Sequence, residues 1–386
     1  MSSLDDFVQA KLTALESRHL RRALVTSTRH DGVIVERGGR RFVSFSCNDY
    51  LGLSSHPALA EAARAAIETF GLGAGASRLV TGNHPLYDEI EGRLARLKGT
   101  AAACVFGSGY LANTGIVPAL VGDGDLVAID ELAHACLYAG ARLSGATVMR
   151  FPHNDVGSLR TLLADRRAGH ANALILTDGV FSMDGDLAPL AELGSLAREY
   201  DAWLMADDAH GIGVVGNGRG STFASDVPAD VPLQMGTLSK AIGCYGGYLC
   251  ASTPVVEFIK NRARTFVYST GLPPPVVAAA IAALDLIAGN PAYAALPLRK
   301  AKAFTIRAGL PEAASPIVPV IVGAAEDALA AARLLEAEGF LAVPIRPPTV
   351  PPGTARLRLA FTARHDDRDI ERLAGLVRTR ILKGRP

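Results

Sequence analysis

The chain has 386 residues, which at roughly 100–200 residues per domain points to two domains with room for a sizeable core. Hydrophobic residues make up 49% of it, and 39 Lys and Arg offset 38 Asp and Glu to a formal charge of +1. That balance argues against an acidic disordered tail and against a dedicated nucleic-acid binder, which carries a clear basic excess.

The first 45 residues read as a helix followed by a short β element. Residues 59–70 place Leu59, Ala63, Ile67 and Phe70 on one helical face, and Gly71 follows as a stop. Residues 85–97 open with Pro85, suited to a first helical turn, and space Leu86, Ile90, Leu94 and Leu97 as an apolar stripe. Strands are expected at Ala102–Phe106, Leu126–Ile129, Thr147–Phe151, Ala173–Thr177, Trp203–Ala206, Leu233–Met235 and Gly247–Ala251. Most are separated by a helix-length segment, the pattern of a mostly parallel central sheet flanked by helices. After residue 290 the pattern changes to a strand (Ile317–Val322), a helix (Glu326–Glu338), two strands (Ala342–Ile345, Arg356–Phe361) and a last helix (Asp366–Leu382). The expected organisation is therefore α/β. An N-terminal segment (1–45) and a major domain (46–285) are followed by a smaller α+β C-terminal domain (286–386).

The cysteines at 47, 104, 136, 244 and 250 are odd in number, and no pair has C-x-x-C spacing. Neither a disulfide framework nor a zinc ribbon is indicated, so a reducing cytoplasm is expected. The N-terminus lacks the basic and apolar regions of a signal peptide. Two uncharged runs, 99–122 and 265–284, are broken by Gly, Asn and Pro, so they are read as buried core and no membrane association is expected.

Ligands in open α/β sheets bind at the carboxyl ends of strands, so the residues there carry the functional reading. Gly107-Ser108-Gly109-Tyr110 after the first strand is a glycine turn feeding a helix, a natural phosphate cradle, although a tight turn alone also calls for glycine. Asp130 and His134, Asp178 and Ser182, and Asp207-Asp208-Ala209-His210 follow the next strands. A metal site on Asp207, Asp208 and His210 would need further ligands, and no H-E-x-x-H cluster is present, so no metal is expected. The most specific feature is Lys240, one of only seven lysines, set among Leu238, Ala241, Ile242 and Gly243 just beyond a buried strand. A desolvated lysine has a lowered pKa and is a usable nucleophile for imine formation. Pyridoxal phosphate needs such an amine, donors for its phosphate and a carboxylate opposite its ring nitrogen. Lys240, the Gly109-Tyr110 turn with Thr237, and Asp207 fill those roles, and His134 is the candidate for a flat group stacked on the ring.

Thr237-Leu238-Ser239-Lys240-Ala241-Ile242-Gly243-x-x-Gly246 resembles the lysine signature of class II pyridoxal-phosphate-dependent transferases. Asn48-Asp49-Tyr50-Leu51-Gly52-Leu53, the Gly71–Arg78 loop, Val180–Asp186 and Asp207–Gly211 resemble the α-oxoamine synthases. These join an amino acid to an acyl thioester with loss of CO2. The resemblance runs from about Arg21 to Arg364 and implies a fold-type I architecture. The Ile345–Arg358 run, with its Arg346-Pro347-Pro348-Thr349-Val350-Pro351 core, is similar to the branch of biotin synthesis. That branch condenses L-alanine with a pimeloyl thioester, on CoA or acyl carrier protein. Branches using glycine or serine with another acyl-CoA are the alternative, followed by an aminotransferase.

The resemblance implies that Lys240 holds the cofactor and moves the substrate Cα proton. It implies that Asp207 pairs with the ring nitrogen, His210 with the ring oxygen, and that His134 and Ser182 lie against the cofactor. Gly109, Tyr110 and Thr237 would hold the phosphate, with Thr270 from a second subunit of a homodimer. Arg346 would pair with the amino-acid carboxylate, and Arg21 (Arg22 is adjacent), Asn48 and Thr349 would face the acyl substrate.

Overall fold

The computed structural model describes residues 2–17, 20, 21 and 23–383. The N-terminal helix α1 (Ser3–Ser17) leads to strands β1 (Thr28–Arg29), β2 (Ile34–Arg37) and β3 (Arg40–Ser44). Helices α2 (Pro57–Phe70) and α3 (Leu86–Lys98) follow. Then come β4 (Ala102–Phe106), α4 (Gly109–Leu120), β5 (Leu126–Asp130), α5 (Ala135–Ser144), β6 (Thr147–Phe151), α6 (Val156–Arg166), β7 (Ala173–Asp178), α7 (Leu190–Glu199), β8 (Trp203–Asp207), β9 (Leu233–Thr237) and β10 (Gly247–Ala251).

Seven of these strands form one sheet in the order β4-β10-β9-β8-β7-β5-β6. Only β10 runs against its neighbours; the pairs from β9 to β6 are all parallel. Successive side chains on a strand point to opposite faces. In β5, Leu126 and Ala128 join a core with Leu159 and Leu163 of α6 and Leu193 and Leu196 of α7. Val127 and Ile129 join the opposite core, with Ile116 and Val117 of α4 and Leu137 and Ala141 of α5. Covering both faces makes β7 buried at all six positions, as its unbroken apolar run predicts. Each fully buried Leu, Ile or Val contributes about 1.5–3 kcal/mol, so this double burial fixes the strand ends that carry the polar residues.

The expected strands are present, and four in the central sheet extend further than the apolar runs. Asp130, Asp178 and Asp207 are the last residues of their strands, and Thr237 ends β9. Backbone pairing with the neighbouring strand holds these polar residues in the ladder where hydrophobicity stops. The run 265–284 becomes α10 (Pro274–Gly289), after α8 (Thr253–Arg262) and α9 (Arg264–Val267), and much of α10 is buried in the core. Among the described residues no single helix is long and apolar enough to cross a membrane.

Past α11 (Pro291–Ala294) and α12 (Leu296–Ala308), the C-terminal unit contains β11 (Ile317–Gly323), α13 (Ala325–Ala337), β12 (Phe340–Leu341), β13 (Val343–Ile345), β14 (Ala355–Ala360) and α14 (Asp367–Leu376). Strands β11, β14 and β13 form an antiparallel sheet. The last helix is shorter than its apolar pattern, and a π turn at Val377–Ile381 completes it. The N-terminal strands do not stand apart, because β3 pairs in parallel with β12. Phe45 stacks on His365 with ring centroids 3.9 Å apart. The amino-terminal strands are thereby fastened to the C-terminal unit.

Candidate active site

The carboxyl ends of β5, β7, β8 and β9 converge on one cavity of about 220 Å³, walled in part by Gly109, His134, Asp178, Asp207, Thr237 and Lys240. Asp207 is held at both oxygens: Asn113 of α4 donates to Oδ2 at 2.7 Å, and the Ala209 N–H donates to Oδ1 at 2.9 Å. Asp178, its cross-strand neighbour, accepts from the His134 N–H at 3.0 Å. Burial, reinforced by the charge of Asp207, raises the pKa of Asp178 well above the usual carboxylate range. His134 caps α5, its Nδ1 accepting the Cys136 N–H at 3.2 Å, so its ring proton sits on Nε2. Burial pulls its pKa down; Asp207 opposes that and Lys240 adds to it. The Cys136 thiol lies 2.7 Å from His134 Nδ1, and burial pushes its pKa up to about 12.

Lys240 enters this cavity from the loop after β9. Its Nζ makes no hydrogen bond or ion pair among the described residues. Burial lowers its pKa while Asp207 and Asp178 oppose the shift. An amine that is desolvated and unengaged is the form a carbonyl carbon needs in order to react.

Opposite the lysine, α4 begins at Gly109, with Ser108 as its cap accepting the Leu111 N–H at 3.2 Å. The first N–H groups of a helix have no intrahelical partner and lie at the positive end of its dipole. A Cβ on Gly109 would sit 3.2 Å from Met235 Cε and 3.6 Å from Thr237 Oγ1, so glycine keeps that space open. Thr237 donates to the Gly246 carbonyl at 2.7 Å and accepts the Ser239 N–H at 3.2 Å, and both hydroxyl residues line the cavity. The Lys240 amine, the buried Asp207 carboxylate, the His134 imidazole and a helix N-terminus with hydroxyls around a small cavity fit pyridoxal phosphate.

The remaining predicted residues fall into separate groups. His210 lines the same cavity and shares a 2.7 Å hydrogen bond with the buried Tyr50 hydroxyl. Burial, then Lys240 and Arg358, depress its pKa well below the ordinary histidine value. Asn48 lines a second cavity of about 550 Å³ that also reaches Lys240. Ser182 does not line the lysine cavity; its carbonyl accepts from Arg358 Nε. Thr270 is exposed and bridges to Ser77 of its own chain. Arg21, Arg346 and Thr349 lie together along a third groove of about 820 Å³, which shares no wall with the other two. Arg21 is ion-paired with Glu16, and Arg22 lies outside the described residues. Among the described residues no cluster of three or more His, Cys, Asp or Glu is arranged to hold a metal.

Two residues at the site escape a reading of strand ends. Asn113, fully buried inside α4, anchors Asp207. Arg358, from the all-buried β14, donates to Asn48 Oδ1 at 3.1 Å and lies 3.5 Å from the Tyr50 hydroxyl. Charged residues at 356 and 358 inside a strand of Ala and Leu were the available signal, since a buried arginine must have partners.

Residues 40–377 match the family described as aminotransferase class I and II. An 8-amino-7-oxononanoate synthase from Beijerinckia indica is 61% identical over 377 residues, 98% of each chain. A solved serine palmitoyltransferase variant from S. paucimobilis with a bound pyridoxal phosphate–myriocin aldimine aligns at 29% identity, TM-score 0.89, over 98% of each chain. The structure of 8-amino-7-oxononanoate synthase from Francisella tularensis aligns at 25% identity and TM-score 0.74, over 87% of this chain and 97% of that one.

Proposed function

The chain belongs to the aminotransferase class I and II family and, within it, to the α-oxoamine synthases; from that premise we propose that it joins L-alanine to a pimeloyl thioester. The products are 8-amino-7-oxononanoate, CO2 and the free thiol of CoA or acyl carrier protein. The observation that carries the reading is the unengaged Lys240 amine where the Asp207 cavity meets the larger one lined by Asn48. A chain of this family is a pyridoxal-phosphate-dependent transferase, and its use of alanine is supported by the identity to the Beijerinckia relative.

When bound, pyridoxal phosphate supplies an electron sink for charge developing at the amino-acid Cα. The protein groups do the rest. Lys240 would take the Cα proton of alanine and later return one to the same carbon; a pKa lowered by burial suits an amine to both roles. Asp207, fixed by Asn113 and Ala209, would hold the ring nitrogen protonated. Gly109, Tyr110 and Thr237 would bind the phosphate, joined by Thr270 of the second subunit in a homodimer. His134 would lie over the ring, and His210, neutral and held by Tyr50, would donate to the ring oxygen. Arg346 would pair with the alanine carboxylate, and Asn48, Arg21 and Thr349 would face the acyl group. We place the reaction in the cytoplasm.

The test is to incubate the cofactor-loaded protein with alanine and pimeloyl-CoA and to seek 8-amino-7-oxononanoate by mass. A second reading keeps the same machinery with serine and a long acyl-CoA, favoured by the overlay on serine palmitoyltransferase. Parallel incubations with glycine or serine and with palmitoyl-CoA separate the two. Product from serine and none from alanine would overturn the first.

A further inference from the structure

The second cavity, about 550 Å³, shares Ser239 and Lys240 with the cavity that contains Asp207. Its volume is that of a small-ligand site. The charges on its wall are Lys240, Arg29 and Arg37 against a single carboxylate, Asp49. Asp49 is already committed: it accepts from Arg29 Nη1 at 3.3 Å and from the Leu53 and Ser54 N–H groups at 3.0 and 3.3 Å. Arg29 also donates to Ser54 Oγ at 2.8 Å, so this guanidinium is anchored in the wall.

Arg37 is different. Its Nε donates to Ser27 Oγ at 2.7 Å, and it has no ion-pair partner among the described residues. The neighbouring Glu36 does not line the cavity and is engaged by His30 at 2.9 Å and Arg41 at 3.6 Å. An uncompensated guanidinium therefore borders the chamber that also reaches the reactive amine. The planar fork of arginine matches an oxyanion at two points. Arg21, by contrast, is neutralised by Glu16 and lies on a groove that does not include Lys240.

We infer that this chamber seats the acyl donor and that Arg37, backed by Ser27 and Arg29, binds an oxyanion of that donor. This rests on the acyl-transfer reading above. The oxyanion is the terminal carboxylate of a dicarboxylic acyl chain or a phosphate of its carrier, and the choice of donor distinguishes them.

The test uses cofactor-loaded protein and saturating alanine, with pimeloyl-CoA, heptanoyl-CoA (no terminal carboxylate) and the pimeloyl thioester of N-acetylcysteamine (no phosphate). Parent, Arg37→Ala, Arg37→Lys and Arg41→Ala are compared, and pimelate and CoA are titrated into each by calorimetry. Arg37→Ala should lower kcat/KM by about 10- to 100-fold, the loss of a charge-assisted hydrogen-bonded pair, with Arg37→Lys intermediate. A loss with both pimeloyl donors but not heptanoyl-CoA assigns the carboxylate. A loss with both CoA donors but not the N-acetylcysteamine thioester assigns the phosphate. Arg41→Ala, on the same hairpin but outside the cavity, should match the parent. Unchanged kinetics and titrations for Arg37→Ala would overturn the inference. A parent that turns over none of these donors refutes the acyl-transfer reading, and the titrations alone then decide whether Arg37 binds pimelate or CoA.

Discussion

Removing the Lys98 amine should cost more stability than any surface change in this protein. Lys98 ends α3 with a side chain of 0% exposure, and Asp208, next to Asp207, has 1%. Nζ donates to Asp208 Oδ2 at 2.7 Å and to the Arg219 carbonyl at 2.7 Å. Asp208 Oδ1 accepts the Ser221 N–H at 3.0 Å, and a Cβ at Gly220 would overlap the carboxylate, so the loop closes around it. Lys98→Met leaves a buried carboxylate without its cation and a carbonyl without its donor. Breaking one side of a buried pair costs about 3–5 kcal/mol. Lys98→Met with Asp208→Asn removes the orphaned charge and should recover at least about 1 kcal/mol of that. Trp203, the single tryptophan, begins the strand that ends at Asp207, so its fluorescence in a urea titration follows this region directly. A loss below about 1 kcal/mol for Lys98→Met, or a double variant no more stable than the single, would refute the reasoning.

Other outcomes follow from the same contacts. His153 lies between Asp130 at 3.1 Å and Asp186 at 2.8 Å; burial alone would lower its pKa, but these hydrogen bonds raise it to about 10. A raised folded-state pKa stabilises below the unfolded value, so the difference in unfolding free energy between parent and His153→Gln should be full below pH about 6.5 and vanish as pH passes about 10; a difference that grows with pH would contradict this. Asp207→Asn should cut turnover by at least roughly 100-fold while the protein stays folded, as expected for loss of a preorganised charge at the reacting centre, and near-parent turnover would remove Asp207 from the site. Arg346→Met and Arg358→Met should be compared by KM for alanine: the arginine that pairs with the carboxylate should raise it by about 10- to 100-fold. A rise with Arg358→Met alone would move that role from the open groove to the buried strand.

The sheet was legible because strands buried on both faces cannot hide their composition: Ala173–Leu176 reads as one apolar run and is one buried strand. Lys240 and Asp207 were legible for a related reason, since polar residues at the ends of such runs have few structural excuses. The contacts that hold Asp207 and Asn48 were not. Asn113 reaches Asp207 across 94 positions and Arg358 reaches Asn48 across 310, and no local periodicity encodes contacts so distant. The parallel pairing of β3 with β12 was hidden likewise, because a two-residue strand leaves no pattern of its own. Arg21, Asn48 and Thr349 were assigned to the acyl substrate by resemblance, but Asn48 lines the cavity that reaches Lys240, while Arg21 and Thr349 lie with Arg346 along a groove whose walls do not include it.

The most direct measurement is to load the protein with pyridoxal phosphate, reduce it with borohydride, digest it and locate the attached pyridoxyl group by mass. The account predicts attachment at Lys240 alone among the seven lysines. Attachment at another lysine, or a cofactor that washes away unattached after reduction, would contradict it.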